Sequence, residues 1–277
     1  MERVTGKMAL KTVAGCVLAL SASAAFSGTM GPASVSAGRV YLGVFGGGGA
    51  VTGPDMRQSA TAFFIEAQGG PLAVDGKGSS RSSSTGMIGG HIGYAWNNMS
   101  SYFPLTPAVE LEGYYMGGVE LKGHEISSDT VRLDAHDFLV TLPQKTGVFL
   151  VNAVLNSDNT AFGRFRPYVG VGIGSAVVSV SGASSIQISP PEPGLNHFNA
   201  HTSDTDVAFA AQPKIGVHFD VNPRTNVFVE YRYLYLSSTH YTFGSTVVAG
   251  HAATSPWLAT TKSQSYNMGT IGIQFDL

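Results

Sequence analysis

The sequence predicts an all-β fold: an eight-stranded antiparallel transmembrane β-barrel with four long outer loops and short periplasmic turns. Residues 227–236 alternate with period two, so an apolar and aromatic face lies opposite a face that carries Glu230 and Arg232. Only 12% of the residues are charged, about half the usual share, and there are 35 glycines. Beyond the first thirty positions no apolar run is long enough for a spanning helix. Strands with an apolar outside and a polar inside are typical of membrane barrels.

The first 37 residues are predicted to be a signal peptide. A charged start is followed by the apolar stretch 13–26, and Val35-Ser36-Ala37 resembles a cleavage site, with the cut expected between Ala25 and Ala37. The single cysteine, Cys16, follows Val13-Ala14-Gly15 as in a lipoprotein box, but most of the apolar sequence lies after it, which disfavours lipidation. The barrel domain is then expected to comprise residues 38–277.

Eight segments of the mature chain have strand character. They are residues 40–52, 85–96, 108–122, 138–156, 166–181, 206–221, 227–236 and 265–277. The connections 53–82, 123–133, 182–205 and 240–264 mostly exceed 97–107, 157–165 and 222–225. Long connections at one rim and short turns at the other are the pattern of an outer-membrane barrel. Pro143 is expected to fray the outer half of the fourth strand.

The third strand shows a regular alternation of apolar and charged residues. Its apolar face is predicted to contain Val109, Leu111, Tyr115, Val119 and Leu121. The opposite face is predicted to contain Glu110, Glu112, Tyr114, Met116, Glu120 and Lys122. Because several charges share this second face, it must contact water or partners of opposite charge.

A charge network is expected inside the barrel. Eight strands leave an interior only wide enough for side chains, and the inward positions include Glu110, Glu112, Lys214, Glu230 and Arg232. We expect the two cations to pair with the three carboxylates and to close the lumen. The alternative is a narrow pore for small solutes, which a lumen dominated by small residues near Gly89, Gly93, Gly170 and Gly172 would favour.

Alternation alone also permits a secreted soluble barrel or sandwich, with the apolar face turned inward. Two features favour the membrane. Aromatic residues gather near predicted strand ends, as an interfacial girdle requires: Tyr94, Trp96, Tyr102, Phe103, Tyr168, Phe219, Tyr233, Tyr235 and Tyr241. The segment 270–277 alternates to the last residue, Leu277, and looks like the terminal signal that the outer-membrane assembly machinery reads.

Two stretches carry a family resemblance. Residues 163–174, Gly-Arg-Phe-Arg-Pro-Tyr-Val-Gly-Val-Gly-Ile-Gly, and residues 229–233, Val-Glu-Tyr-Arg-Tyr, resemble the opacity-type, OmpA-like family of small outer-membrane β-barrels. Val40-Tyr41-Leu42-Gly43 fits as well. The resemblance implies an eight-stranded barrel whose mobile outer loops, in some members, bind host receptors or matrix. Loop sequences would decide that role.

Candidate catalytic and metal-binding residues are few. His240, with Ser237 and Ser238, could supply part of a hydrolase site, but no recognisable motif surrounds them. His197 and His201 are spaced as metal ligands on a helix would be, yet they follow a Pro-rich loop without helical pattern. Gly46–Gly49 lacks the lysine of a phosphate loop. We therefore expect no catalytic, cofactor-binding or metal-binding residues.

These observations predict a Gram-negative outer-membrane protein with a structural or surface-interaction role and without catalysis. Expected partners are outer-membrane lipid, the barrel assembly machinery through the last strand, and host surface molecules through the loops. A net charge of −2, without a basic cluster in the mature chain, argues against nucleic acid. A lipid A-modifying enzyme is the least favoured alternative.

Overall fold

The computed structural model describes residues 38–96, 105–157 and 162–277. The predicted signal peptide with Cys16, and the turn residues Tyr102 and Phe103, lie outside these ranges. Within them the strands are β1 (Arg39–Thr52), β2 (Asp55–Ala62), β3 (Leu72–Ser80), β4 (Ser83–Ala95), β5 (Leu105–Ser127), β6 (Asp137–Ser157), β7 (Phe165–Ser181), β8 (Ser184–Ser189), β9 (Ser203–Asn222), β10 (Thr225–Leu236), β11 (Thr239–Phe243), β12 (Trp257–Thr261) and β13 (Gln264–Asp276). A short 3-10 helix spans Glu66–Gln68. No helix in the described ranges is long and apolar enough to cross a membrane.

Eight of these strands form a closed antiparallel ring in the order β1–β4–β5–β6–β7–β9–β10–β13, and β13 pairs back with β1. They correspond one by one to the eight predicted strands, so the predicted fold class is confirmed. The ring closes where the first strand meets the last, with Gly47 opposite Thr270. Closure gives every strand two neighbours and leaves no open edge in the ring.

The outside of the ring is apolar. Ile88 is 68% exposed, Ile215 57% and Ile271 60%, each on a different strand. Their neighbours along the chain point inward, as period two requires. Exposed aromatic residues lie towards both ends of the strands, among them Tyr94, Trp96, Phe219 and Tyr235. Tyr168 and Tyr241, which we predicted in the same girdle, are instead buried, because their positions in β7 and β11 face inward.

The long connections are more ordered than the sequence suggested. Residues 53–82 contain β2 and β3, residues 182–205 contain β8, and residues 240–264 contain β12 and all of β11 except its first residue, Thr239. These strands continue the sheet beyond the ring, because β3 pairs with β5, β8 pairs with β6, and β2, β12 and β11 follow β3 in order. We call these five strands, with the adjoining ends of β5, β6 and β9, the outer extension.

A β-bulge in β5 separates the ring from the outer extension on this strand. Met116 pairs with Thr146 and Val119 with Gln144, so Gly117 and Gly118 lie opposite one residue of β6. Gly118 has φ +79°, a backbone conformation that residues other than glycine rarely adopt. The extra residue exchanges the two faces of the strand for everything that follows it.

The prediction for the outer half of the third strand is therefore wrong. Val119 and Leu121 are buried rather than outward, while Glu120 and Lys122 are exposed rather than inward. The outer extension consequently has an apolar inside and a polar outside. Its interior contains Val119, Leu121, Phe138, Val140, Leu142, Phe198, Phe243 and Trp257.

Pro143 does not fray β6, which continues from Asp137 to Ser157. On one side, Pro143 lies opposite Glu120 of β5. On its other side β6 changes partner, since the pairing with β7 begins at Gln144 and the pairing with β8 ends at Thr141. Pro143 therefore lies between the end of one pairing and the start of the next. A backbone N–H at this position would have no strand partner there, so its absence costs little stability.

Candidate functional site

The centre of the ring holds a cluster of five charged side chains. Glu110 and Glu112 lie on β5, Lys214 on β9, and Glu230 and Arg232 on β10. All five occupy even-numbered, inward-facing positions, and all five are buried. The structure thus brings together the residues that the sequence singled out for a lumen network.

Each cation in this cluster contacts more than one carboxylate. Lys214 Nζ lies 2.7 Å from Glu110 Oε2, 3.1 Å from Glu112 Oε2 and 3.5 Å from Glu230 Oε2. Arg232 Nη1 lies 2.6 Å from Glu112 Oε1, and Arg232 Nε donates to Glu230 Oε1. Glu112 and Glu230 are therefore shared between both cations, whereas the contacts of Glu110 within the cluster involve Lys214.

Neutral side chains surround the charges and donate to the carboxylates. The hydroxyl of Tyr41 donates to Glu110 Oε1 at 3.0 Å, and that of Tyr168 donates to Glu230 Oε2 at 2.8 Å. Asn152 Nδ2 donates to both Glu110 and Glu112 at 3.1 Å, and Gln212 Nε2 donates to Glu112 at 3.0 Å. Such donors offset the cost of removing carboxylates from water.

Arg232 is held from a second direction by an aromatic ring. Its guanidinium carbon lies 3.9 Å from the centre of the Phe45 ring and 5.6 Å from that of Tyr114. A cation over an aromatic face is attracted by the ring quadrupole, more strongly when it is desolvated. Arg232 Nη2, which has no hydrogen-bond partner among the described residues, is part of this guanidinium.

Larger side chains fill the space above the inward-facing glycines. A Cβ atom placed on Gly170 would lie 3.1 Å from side-chain carbons of Lys214. The ring of Tyr41 occupies the corresponding space at Gly93, and the ring of Tyr168 occupies it at Gly216. The glycines thus admit bulky neighbours rather than widening the lumen.

Two histidines lie at the edge of the cluster. His91 Nε2 is 3.3 Å from Gln274 Oε1, and His218 Nδ1 is 2.7 Å from Asn226 Oδ1. One ligand atom of His91 falls within 4.8 Å of Glu110 and Glu112 oxygens, but both carboxylates already face Lys214. These histidines are accounted for as members of the interior polar network.

The outer extension contains a second group of histidines, which differs from the pair considered in the sequence. His201 is exposed, while His197 is buried and contacts Glu192 and His251 instead. Burial lowers the pKa of His197. The three side chains border a cavity of about 280 Å³ that is also lined by Phe64, Val74, Phe138 and Trp257. Glu192 and His251 carried no signal in the sequence, because they come from separate loops.

The residues considered for catalysis remain apart from these clusters. His240 is exposed, and its Nδ1 lies 3.8 Å from Asp206 Oδ2. The hydroxyl oxygen of Ser237 accepts a hydrogen bond from the N–H of Phe209 at 2.9 Å. Ser238 is exposed. Asp206 and Ser237 thus connect β9 to β11 and to the residues that join β10 to β11.

Glu125 is a buried acid in the outer extension. Burial in this apolar interior raises its pKa to about 8, and Glu125 Oε2 has no hydrogen-bond partner within the described chain. At neutral pH the folded protein therefore keeps a proton that the unfolded chain, with a pKa of about 4.3, has released. The unfolding free energy should fall as the pH rises from about 4 to about 8, and should level off above that range.

We expect Glu125→Gln to remove this pH dependence. The variant should match the wild type near pH 4 and exceed its unfolding free energy by up to about 5 kcal/mol at pH 9. Urea titrations of the refolded protein in detergent at several pH values measure the difference. Glu120→Gln, at an exposed position of the same strand, is the control. An equal loss of stability with pH in the wild type and Glu125→Gln would contradict the assignment.

A closed ring of eight antiparallel strands with an apolar exterior and a charged, hydrogen-bonded interior is a transmembrane β-barrel. A family model described as outer membrane protein beta-barrel domain matches residues 12–255. The chain belongs to this family and is therefore an outer-membrane protein. No curated protein matches the sequence at a significant level.

Several solved structures of outer-membrane proteins are similar to this chain at low sequence identity. OprG from Pseudomonas aeruginosa is 10% identical, with 87% of this chain and 98% of that chain covered and a TM-score of 0.41. The neisserial surface protein A (NspA) is 12% identical, with coverages of 86% and 97% and a TM-score of 0.35. The outer membrane protease OmpT from Escherichia coli is 9% identical, with coverages of 85% and 97% and a TM-score of 0.35. Similarity at this level does not bear on function.

Proposed function

We propose that this protein is a non-catalytic surface protein of the outer membrane, whose closed barrel anchors an outer extension that binds molecules outside the cell. The observation that carries the proposal is the occupied lumen. Lys214 and Arg232 are buried among three carboxylates, and the space above the inward glycines is filled by larger side chains. A solute path along the axis would have to break these contacts, which disfavours the narrow pore.

Exposed apolar side chains at the tips of the outer connections support the binding role. Ile65 is 65% exposed, Val131 fully exposed and Val247 67% exposed. The connections are tied together, because Arg132 donates to the backbone carbonyls of Gln68, Gly69 and Gly70 at 2.7–2.8 Å. Apolar groups held at a surface by hydrogen-bonded loops are a common feature of protein-binding sites.

The proposal extends to the other expected partners. Outer-membrane lipid would contact the apolar exterior around Ile88, Ile215 and Ile271, and the assembly machinery would recognise β13. Catalysis is not included, because the exposed His240 and the engaged Ser237 do not form an activated nucleophile. Host surface molecules are the proposed class of partner for the tips.

Two measurements test the proposed function. We expect the purified protein to show no stable conductance in planar lipid bilayers, since the charge cluster closes the lumen. We expect bacteria that display the wild type to adhere to cultured host cells or matrix, and bacteria that display Ile65→Ser/Val131→Ser to adhere several-fold less. Lys262→Met, at an exposed position outside the tips, is the display control.

Ohmic openings comparable to those of a general porin would overturn the closed lumen. Adhesion of the wild type no greater than that of cells without the protein, on every surface tried, would overturn the binding role. The two outcomes are independent, because the first concerns the ring and the second the outer extension.

A further inference from the structure

Three potential metal ligands converge at the outer end of the molecule. Glu192 and His197 lie in the connection between β8 and β9, and His251 lies in the connection between β11 and β12. Glu192 Oε2 is 3.4 Å from His197 Nε2 and 3.5 Å from His251 Nε2. The separation of the three atoms is within 4.8 Å for every pair. Two loops that are distant in sequence therefore meet at one point through these side chains.

The backbone fixes which nitrogen of each imidazole carries the proton. His197 Nδ1 is 3.1 Å from the carbonyl oxygen of Ser185, and His251 Nδ1 is 2.7 Å from the carbonyl oxygen of Ala252. A carbonyl oxygen can only accept, so each Nδ1 must donate, and in a neutral imidazole Nε2 then presents its lone pair. Backbone carbonyls orient metal-binding histidines in this way in many proteins.

When both imidazoles are neutral, the three atoms that face one another are all electron-pair donors. Glu192 Oε2 is buried and has no hydrogen-bond donor among the described residues. Three such atoms repel one another unless a positive charge lies between them. A tetrahedral zinc ion with bonds of about 2.0–2.1 Å places its ligand atoms about 3.3–3.4 Å apart. The distances from Glu192 Oε2 to the two imidazole nitrogens match this spacing.

The surroundings hold the ligands in place. The ring of His197 packs edge-on against Phe138 and Trp257, with ring centres 5.2 Å and 5.8 Å away. Trp257 is in turn fixed by a hydrogen bond from Nε1 to Thr246 Oγ1 at 3.0 Å. The cavity of about 280 Å³ bordered by all three ligands leaves room beside them for a fourth ligand. A rigid site with one free position suits a metal that takes two imidazoles and one carboxylate.

We propose that Glu192, His197 and His251 bind a zinc ion that joins the two outer connections. Nitrogen and carboxylate oxygen ligands of this kind suit zinc better than magnesium or calcium, which prefer oxygen ligands alone. The ion links the connection between β8 and β9 to the connection between β11 and β12. It thereby orders the surface that the proposed function uses, but its presence does not depend on that function.

Zinc titration of the refolded, untagged protein in detergent after treatment with EDTA tests the site. We expect about one equivalent to bind to the wild type, with magnesium as the comparison ion showing no competition. His197→Gln, His251→Gln and Glu192→Gln should each weaken zinc binding at least about 100-fold, since even loss of a group that only orients a ligand costs about 10- to 100-fold. His201→Gln, in the same loop but exposed, should bind as the wild type does. The faster gel migration of unboiled samples verifies that each variant is folded.

A second measurement needs no variant. Zinc should slow proteolytic cleavage of the wild type between β8 and β9 and between β11 and β12, whereas magnesium should leave it unchanged. Absence of a zinc-binding event in the wild type overturns the site. Equal affinity in His251→Gln and His201→Gln also overturns it, because the ion would then bind elsewhere.

Discussion

Lys214→Met is expected to destabilise the folded barrel by about 3–5 kcal/mol. The substitution keeps most of the side-chain volume but removes the cation that contacts Glu110, Glu112 and Glu230. Arg232 alone would then face three buried carboxylates, and Glu110 would lose the cation it contacts at 2.7 Å. A lower urea midpoint, together with less of the fast-migrating unboiled band on gels, measures the effect.

A second substitution distinguishes lost charge balance from lost packing. Lys214→Met/Glu110→Gln removes the carboxylate that depends most on Lys214 and should recover part of the stability. Lys262→Met is the matched control, since Lys262 and its partner Asp55 are both exposed and such pairs contribute at most about 1 kcal/mol. A Lys214→Met variant as stable as Lys262→Met would show that the central charges do not stabilise the ring.

Gly47→Val is expected to prevent closure of the ring. A Cβ at this position would meet the carbonyl oxygen of Gly269, and it would lie 2.8 Å from the Cα of Thr270. Both are backbone atoms of β13 and cannot move aside as a flexible side chain could. Since β1 and β13 form the last pair of the ring, we expect a loss of about 3 kcal/mol or more, and little or no heat-modifiable protein in membrane fractions.

Gly269→Val provides the control for this seam. It places the same side chain on the neighbouring strand, where a Cβ would meet nothing within 4 Å and the position is exposed. Valine is well suited to an exterior strand position in lipid, so this variant should assemble normally. Equal yields of folded Gly47→Val and Gly269→Val would contradict close strand packing at the seam.

Period two predicted the eight strands of the ring, and together with the aromatic residues near the strand ends and the alternating last segment it predicted that the five central charges lie inside. Alternation determines which residues share a face, and a membrane barrel turns the polar face inward, so Glu110, Lys214 and Arg232 could be assigned to the interior without coordinates. Which cation contacts which carboxylate depends on register between distant strands. Pairing of Lys214 with residues of β5 could therefore be proposed only as one of several combinations.

The outer extension could not be predicted in the same way. Strands β2, β3, β8, β11 and β12 are short. Four of them pair with one another, and β3 and β8 pair with ring strands that are not their neighbours in sequence. The bulge at Gly117 and Gly118 was hidden because glycine pairs are common throughout this chain. The cluster of Glu192, His197 and His251 joins loops separated by three strands, and no local spacing indicates such a meeting.

The β5 bulge allows a single strand to have an exterior suited to lipid in one half and an exterior suited to water in the other half. Before Gly118 the strand follows the rule of a protein in lipid, with Leu111 outward and Glu112 inward. After it the strand follows the rule of a protein in water, with Leu121 inward and Lys122 outward. Because of one additional residue, every later position of β5 that would have faced inward faces outward, and the reverse. Gly118 therefore marks the point on β5 at which an exterior suited to lipid gives way to an exterior suited to water.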